Sequence, residues 1–124
     1  MGGNVDMTEG FFNLPGINAH IVKFVGGTAA VTKVYGPGMA VTYISTGIVD
    51  LDWSGNANNP GTFIGMVATF QATTASGVKG YTVVPGVYNT STKKLRVNIT
   101  GASEALVDLA AVQWLTCLCF FQVV

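Results

Sequence analysis

The sequence predicts an all-β protein, an antiparallel β-sandwich that is jelly-roll-like and has about eight strands. Sixteen glycines among 124 residues fall between short runs rich in Val, Thr, Ile, Phe and Tyr, as expected of turns between strands. Several of these runs alternate apolar and polar residues, which is the period of a half-buried strand. No Pro-rich or Ser-rich linker divides the chain, and its length suits a single core.

The elements follow in order along the chain. Residues 1–18 show no sustained period and are predicted to form an extended amino-terminal arm, whose Phe11, Phe12 and Leu14 suggest docking on another surface. Residues 19–124 are expected to form the single sandwich domain. Its predicted strands are 19–25, 29–35, 39–45, 48–53, 62–72, 79–84, 94–99 and the final run, 114–124. Residues 103–111 could form a short helix before that run, since Ser103 is a fair N-cap and Ala, Leu and Glu favour helix.

Two of these strands alternate cleanly and are predicted to be exposed on one face. In residues 94–99, "KLRVNI", every second residue is apolar and the others are Lys, Arg and Asn. In residues 48–53, "IVDLDW", the side chains of Val49, Leu51 and Trp53 share the face opposite the two aspartates. Each strand should therefore direct one face to the core and the other to water.

Two other strands are apolar on both faces. In residues 62–72 the sequence places Phe63 and Val67 on one face, and Ile64, Met66, Ala68 and Phe70 on the other. The final run shows the same property. Since a two-layer sandwich leaves one face of each sheet to solvent, the surplus apolar faces predict another cover, and a second copy of the chain is the expected one.

The final run, "WLTCLCFFQVV", allows three interpretations: a membrane anchor, a Cys-x-Cys metal or redox site, or a strand buried on both faces. Its apolar stretch is shorter than the roughly 20 residues that span a bilayer as a helix. On a strand Cys117 and Cys119 lie about 6.6 to 7 Å apart, beyond disulfide reach. A metal would need further ligands, and the chain has one histidine, His20. The strand interpretation, with the cysteines in the core, is therefore favoured.

The charge balance argues against several partners. Charged residues make up 10% of the chain, against a usual share of about 25%, and six basic residues cancel six acidic ones. Such a surface has no field to attract nucleic acid or an anionic membrane, so neither is an expected partner. The amino end, "MGGNVDMTEG", lacks the pattern of a signal peptide, and two cysteines give no disulfide framework.

A calcium loop is the nearest match to a metal motif. In "DLDWSG" the residues Asp50, Asp52 and Ser54 alternate before Gly55, as in the opening of such a loop. The acid required at the twelfth position is missing, because Gly61 stands there. A turn after a strand is therefore favoured over a cation site, and no metal ligand is predicted.

Catalytic chemistry is not predicted either. His20 is isolated, the acidic residues are scattered, and the chain shows no nucleophile elbow or phosphate-binding loop. We therefore expect a non-enzymatic protein without a cofactor. One binding alternative remains open: Trp53 could stack on a sugar while the amides of Asn56 and Asn58 bind its hydroxyls, although this loop composition is also typical of ordinary turns.

The strands "GPGMAVTYIS" and "TFIGMVATFQATTASGVKGYTVV", with the hydrophobic last strand, resemble small Gly- and Thr-rich β proteins of tailed-bacteriophage particles. These are head decoration (cement) proteins and fibre or knob domains. The resemblance lies in texture and strand spacing and covers the chain from about Val31 onward.

The resemblance implies a homotrimeric virion structural protein that decorates the capsid and stabilises its shell. Its partners would be further copies and the major capsid protein or another virion subunit. Its location would be the virion, assembled in the host cytoplasm. The expected interface residues are Phe11, Phe12, Leu14, Trp114, Phe120 and Phe121. The alternative is a tail or fibre tip, or a glycan-binding module for receptor recognition.

Overall fold

The computed structural model describes residues 4–6, 11–14, 16–56 and 60–123, of which 4–6 and 11–14 are described by their backbone. Within these ranges the chain consists of β-strands, turns and one short 3₁₀ helix, Ala75–Val78. The strands are β1 (Asn4–Asp6), β2 (Phe11–Leu14), β3 (Ile17–Gly27), β4 (Ala30–Tyr35), β5 (Ala40–Ser45), β6 (Ile48–Asp52), β7 (Thr62–Ala72), β8 (Thr82–Pro85), β9 (Lys94–Thr100) and β10 (Gln113–Gln122). The predicted all-β fold is confirmed.

The strands form two antiparallel sheets that pack as a sandwich. The larger, six-stranded sheet has the order β1-β2-β3-β10-β7, and β4 pairs with the second half of β3. The smaller sheet has the order β5-β6-β9-β8. The eight strands predicted from residue 19 onward correspond one to one with β3–β10. The last strand, β10, lies between β3 and β7, and no helix within the described ranges is long and apolar enough to cross a bilayer.

Two strands begin later than predicted because turns occupy their first residues. Ala29 has a φ of 48°, a left-handed conformation that ends the pairing of the β3–β4 hairpin. The sixth predicted strand begins at Thr82 because the 3₁₀ helix precedes it, and the amide of Tyr81 donates to the carbonyl of Val78 at 3.1 Å. These local hydrogen bonds replace strand pairing.

The amino-terminal segment contributes two short strands to the larger sheet. β2 pairs with β3 so that Phe12 lies opposite Ala19, and β1 pairs with β2. Residues 1–3, 7–10 and 15 lie outside the described residues. The predicted role of this segment in attachment stays a prediction.

Alternation along the strands builds the core. In β9 the side chains of Leu95, Val97 and Ile99 are buried, and their neighbours in the sequence are exposed, as the sequence predicts. In β10 Leu115, Cys117, Cys119 and Phe121 are fully buried. Burial of apolar surface contributes about 25 cal/mol per Å², so these two facing rows stabilise the fold.

An aromatic cluster at one end of the core joins the two sheets. Trp53, which follows β6, contacts Phe121 of β10 edge to face, with ring centroids 5.1 Å apart. Tyr88 contacts Trp53 and Phe121, and Phe63 of β7 contacts Phe121 at 5.7 Å. Such edge-to-face pairs contribute about 0.5 to 1.5 kcal/mol each beyond their burial.

Residues 103–111 form a loop with turns, not the short helix that their composition allows. The amide of Val107 donates to the carbonyl of Ile99, and Gly101 donates to Ala105, so the loop extends the pairing of β9. The carboxylate of Asp108 accepts from the backbone amide of Gly47 at 2.9 Å and from the hydroxyl of Tyr43. These tertiary bonds outweigh a weak helix propensity.

Candidate interaction surface

The outer face of the six-stranded sheet is formed by every second residue of β3, β10 and β7. The register places these residues in rows across the sheet: Val25, Trp114 and Gln71; Lys23, Thr116 and Thr69; Ile21, Leu118 and Val67; and Ala19, Phe120 and Gly65. We call this set, together with Ile64, the outer face. The residues that alternate with them along each strand, which include Cys117 and Cys119, lie on the opposite, buried face of the sheet.

The outer face is mostly apolar. Ile64 and Val67 are 57% and 61% exposed, and Trp114, Leu118 and Phe120 are half-buried by their neighbours within the sheet. Lys23 is the one charged residue among the rows named above, and its ammonium donates to the side-chain oxygen of Gln71 at 3.3 Å. An apolar surface with a polar row across it is the usual composition of a protein contact.

The positions of Ile64 and Phe63 differ from the prediction because of a β-bulge. The register of β7 against β10 shifts between Phe120 and Phe121, so that Phe121 lies opposite Phe63 and Phe120 opposite Gly65. Phe63 therefore packs into the core, while Ile64 is exposed and Val67 keeps the outer face. The prediction that Phe63 and Val67 share a face is wrong, because a bulge reverses the alternation locally.

The predicted interface residues separate into three groups. Trp114 and Phe120 lie on the outer face, where a partner could contact them. Phe121 is fully buried in the aromatic cluster, so its prediction as an interface residue is wrong: alternation directs it to the opposite face of β10. The side chains of Phe11, Phe12 and Leu14 lie outside the described part of the chain, although Phe12 and Phe120 both pair with Ala19.

Sequence reasoning gave too little weight to Ile21 and Leu118. Both stand in strands whose other face is buried, and the register places them opposite each other in one row with Val67. The apolar alternation of β10 was sufficient to identify Leu118. The position of Ile21 depends on which strand β10 pairs with, and this was not available from the sequence.

The outer face of the smaller sheet carries two ion pairs, alongside the exposed Val84 of β8. Arg96 of β9 donates to both carboxylate oxygens of Asp50 of β6 at 2.9 and 3.2 Å, and Lys94 lies 4.0 Å from Asp52. The hydrogen bonds with Asp50 raise the pKa of Arg96. Because the guanidinium is exposed, this pair adds little stability, but it keeps this side of the sandwich hydrated.

The same ion pair bears on the calcium-like loop. The carboxylate of Asp50 binds Arg96, and that of Asp52 accepts from the amide of Ser54 at 2.8 Å, which closes the turn after β6. The part of the chain that the structure describes contains no group of three or more His, Cys, Asp or Glu residues placed to hold a metal.

The glycan contact predicted for Trp53 is wrong. Trp53 continues the alternation of Val49 and Leu51, so its ring lies fully buried in the core and presents no face to a sugar. Its indole Nε1 donates to Nδ1 of His20 on the facing sheet. Asn56 is also buried, and Asn58 lies outside the described residues. Tyr88, which contacts Trp53, is buried in the same cluster.

Comparison of the chain with models of known protein families, with curated proteins and with solved structures finds no match. The function must therefore be argued from the surfaces of the molecule itself.

The two cysteines are buried, as predicted, and are not disulfide-bonded. Burial raises the pKa of Cys119 to about 12. Burial also raises the pKa of Cys117, and the neighbouring Cys119 raises it further. Because the thiolate is the reactive form, both thiols are inert at neutral pH and serve as packing residues between the sheets.

Proposed function

We propose that the chain is a non-enzymatic structural subunit that assembles through the outer face of its six-stranded sheet. The observation that supports this is the contrast between the two outer faces of the sandwich. One bears the ion pairs of Asp50 and Asp52, while the other bears Trp114, Leu118 and Phe120. If both outer faces of the sandwich met water, both would be expected to carry mainly polar residues.

The assembly that best fits this subunit is a viral particle. The chain resembles head decoration proteins of tailed phages, and a subunit with one apolar and one hydrated side suits a shell surface, with its apolar side against neighbours and its charged side outward. We therefore propose capsid decoration as the function, with homotrimers that contact the major capsid protein. The virion is the proposed location.

Self-association is tested with a matched pair of lysine substitutions. Leu118→Lys places a charge in the middle of the outer face, and Asn98→Lys places the same charge on the exposed face of β9. We expect light scattering at micromolar concentration to show an oligomer for the native chain and for Asn98→Lys, and dissociation for Leu118→Lys. A native chain that stays a monomer across this range would refute assembly through the outer face.

The particle itself is tested by location. We expect antibodies against the chain to label purified virions from cells that produce it, and mass spectrometry to find it in stoichiometric ratio to the major shell protein. Labelling at the tail tip alone would instead favour the fibre-tip alternative.

A further inference from the structure

We propose that β7 pairs with β7 of a second copy, antiparallel and across a twofold axis, and so joins two six-stranded sheets into one. This inference rests on the proposed self-association and adds a second contact to it: a homotrimer formed through the outer face has no twofold axis, so the β7 edges would join two such trimers. It uses the edge of the sheet, whereas the lysine test above concerns the outer face. The two contacts can therefore be separated by experiment.

β7 is an unusually open edge. It ends the larger sheet among the described strands, so the backbone groups along its outer side have no strand partner in the subunit. β7 has 11 residues, whereas the other edge strands β1, β4, β5 and β8 have 3, 6, 6 and 4. Proteins usually protect such edges with short length, charge, proline or a β-bulge. β7 contains neither a charged residue nor a proline, and its bulge at Ile64 lies near its beginning and leaves residues 65–72 in regular register.

The core is also incomplete at this edge. Met66, Ala68 and Phe70 of β7 lie in the same rows as Cys119, Cys117 and Leu115 of β10, which are fully buried. The β7 side chains are only half-buried, since nothing in the described chain lies beyond them. An added strand would continue this apolar layer and complete the burial of these side chains.

A cleft between the edges of the two sheets marks the same place. Met66, Ala68 and Phe70 line it from β7, and Tyr81, Val83 and Pro85 line it from the β8 side, around a volume of about 290 Å³. The rings of Phe70 and Tyr81 meet across it at 5.8 Å. The two sheets are therefore in contact at this edge, and the apolar cleft between them is open to a partner.

A second copy is the occupant that the charges favour. Antiparallel pairing of identical strands across a twofold axis places a residue near the axis opposite or close to its own copy, so a charge there would meet a like charge. β7 has no charge and therefore no such repulsion, and the chain as a whole has a net charge of zero. Equally, an uncharged edge offers nothing to attract a charged peptide. A twofold contact of this kind is self-complementary.

A cysteine scan along β7 tests the pairing. Single cysteines replace each of residues 64–71 in turn, because the axis can lie at any of them, and Thr116→Cys on β10 reports contact through the outer face instead. In antiparallel pairing a residue faces its own copy only at the axis. A residue two positions away lies about 13 Å from its own copy, and neighbouring β10 strands lie about 14 Å apart, which is beyond disulfide reach. The native cysteines are buried and do not compete.

We expect disulfide-linked dimers to form at one β7 position, with at least about tenfold less at the other β7 positions, as the distances require. Circular dichroism verifies that each variant is folded. Cross-linking without a clear maximum at one β7 position would refute edge pairing, whereas cross-linking of Thr116→Cys reports the outer-face contact that the proposed function requires. An oligomer without cross-links at any β7 position would also refute it. Neither result would affect the proposed self-association, which fails only if the native chain is a monomer.

Discussion

His20 is the single histidine of the chain and is fully buried beside Trp53. Burial lowers its pKa to about 4, and the charge of Lys33 acts in the same direction, against a backbone hydrogen bond with Pro37 that raises it. The imidazole is therefore neutral in the folded protein at neutral pH. In this form its Nδ1 can accept the hydrogen bond from the Trp53 indole.

This pKa predicts acid sensitivity. The unfolded chain takes up the proton at a pKa of 6.5 and the folded protein at about 4, so the unfolded state binds more protons between these values. The free energy of unfolding should fall as the pH drops from 6.5 to 4, by about 3 kcal/mol at about 1.4 kcal/mol per pH unit. Urea unfolding at pH 7, 5.5 and 4 measures this loss.

The matched variant is His20→Gln, whose amide oxygen can still accept from Trp53 but does not titrate. We expect it to be less stable than the native chain at pH 7 and to lose less stability on acidification. Parallel pH profiles for the two proteins would show that another group is responsible.

The two core thiols give a second prediction at this scale. Because Cys117 and Cys119 are buried and protonated, a thiol-reactive dye at pH 8 should label neither in the folded protein and both in denaturant. Asn98→Cys, on the exposed face of β9, should label at once. Rapid labelling of the native protein would contradict the packing role of the two thiols. Replacing both by Val should leave the oligomer intact.

At the scale of elements, the amino-terminal strands are the part of the larger sheet most easily removed. β1 and β2 lie beyond β3 at one edge, while β3 also pairs with β10 and β4. Without β1 and β2, β3 would still be paired with β10 and β4, so the core would keep a paired strand at this edge. Ile17 and Asn18, which the sequence assigns to the arm, belong to β3, and the Asn18 amide donates to the carbonyl of Pro60.

If the chain decorates virions as proposed, deletion of residues 1–14 should leave a folded domain that attaches to them more weakly. Circular dichroism should show an unchanged β-spectrum, and co-sedimentation with virions should show the loss of attachment. The control is Phe11→Ser with Phe12→Ser, which keeps the strands and removes aromatic area. An unfolded truncation together with full attachment of the double variant would show that this segment belongs to the core.

The success of sequence reasoning differed between elements for physical reasons. The two faces of β9 were predicted correctly, because apolar and polar residues alternate along the strand and its pairing with β6 and β8 is regular. In β7 the faces of Phe63 and Ile64 were wrong, because a bulge depends on the partner strand. Trp53 was assigned a core face by alternation and a sugar contact by its neighbouring loop, and alternation was the better guide.

At the scale of the whole molecule, the sequence indicated that surplus apolar surface exists but not where it lies. Low charge and doubly apolar strands are properties of single segments, and they predicted an additional cover. The location of the outer face required the pairing of β3 with β10 and of β10 with β7, which are distant in the chain. Residues 103–111 show the same limit, because Asp108 bonds to Gly47 and Tyr43 far along the sequence.

Trp53 and Trp114 lie on opposite sides of the larger sheet. The molecule therefore has two separate fluorescent reporters. Trp53 lies in the interior, so its fluorescence follows loss of the fold and the protonation of His20. Trp114 lies on the outer face, where its emission responds to a partner that displaces water. Because the chain has two tryptophans, a Trp114→Phe variant isolates the interior signal. The difference between the two proteins then records assembly without any added label.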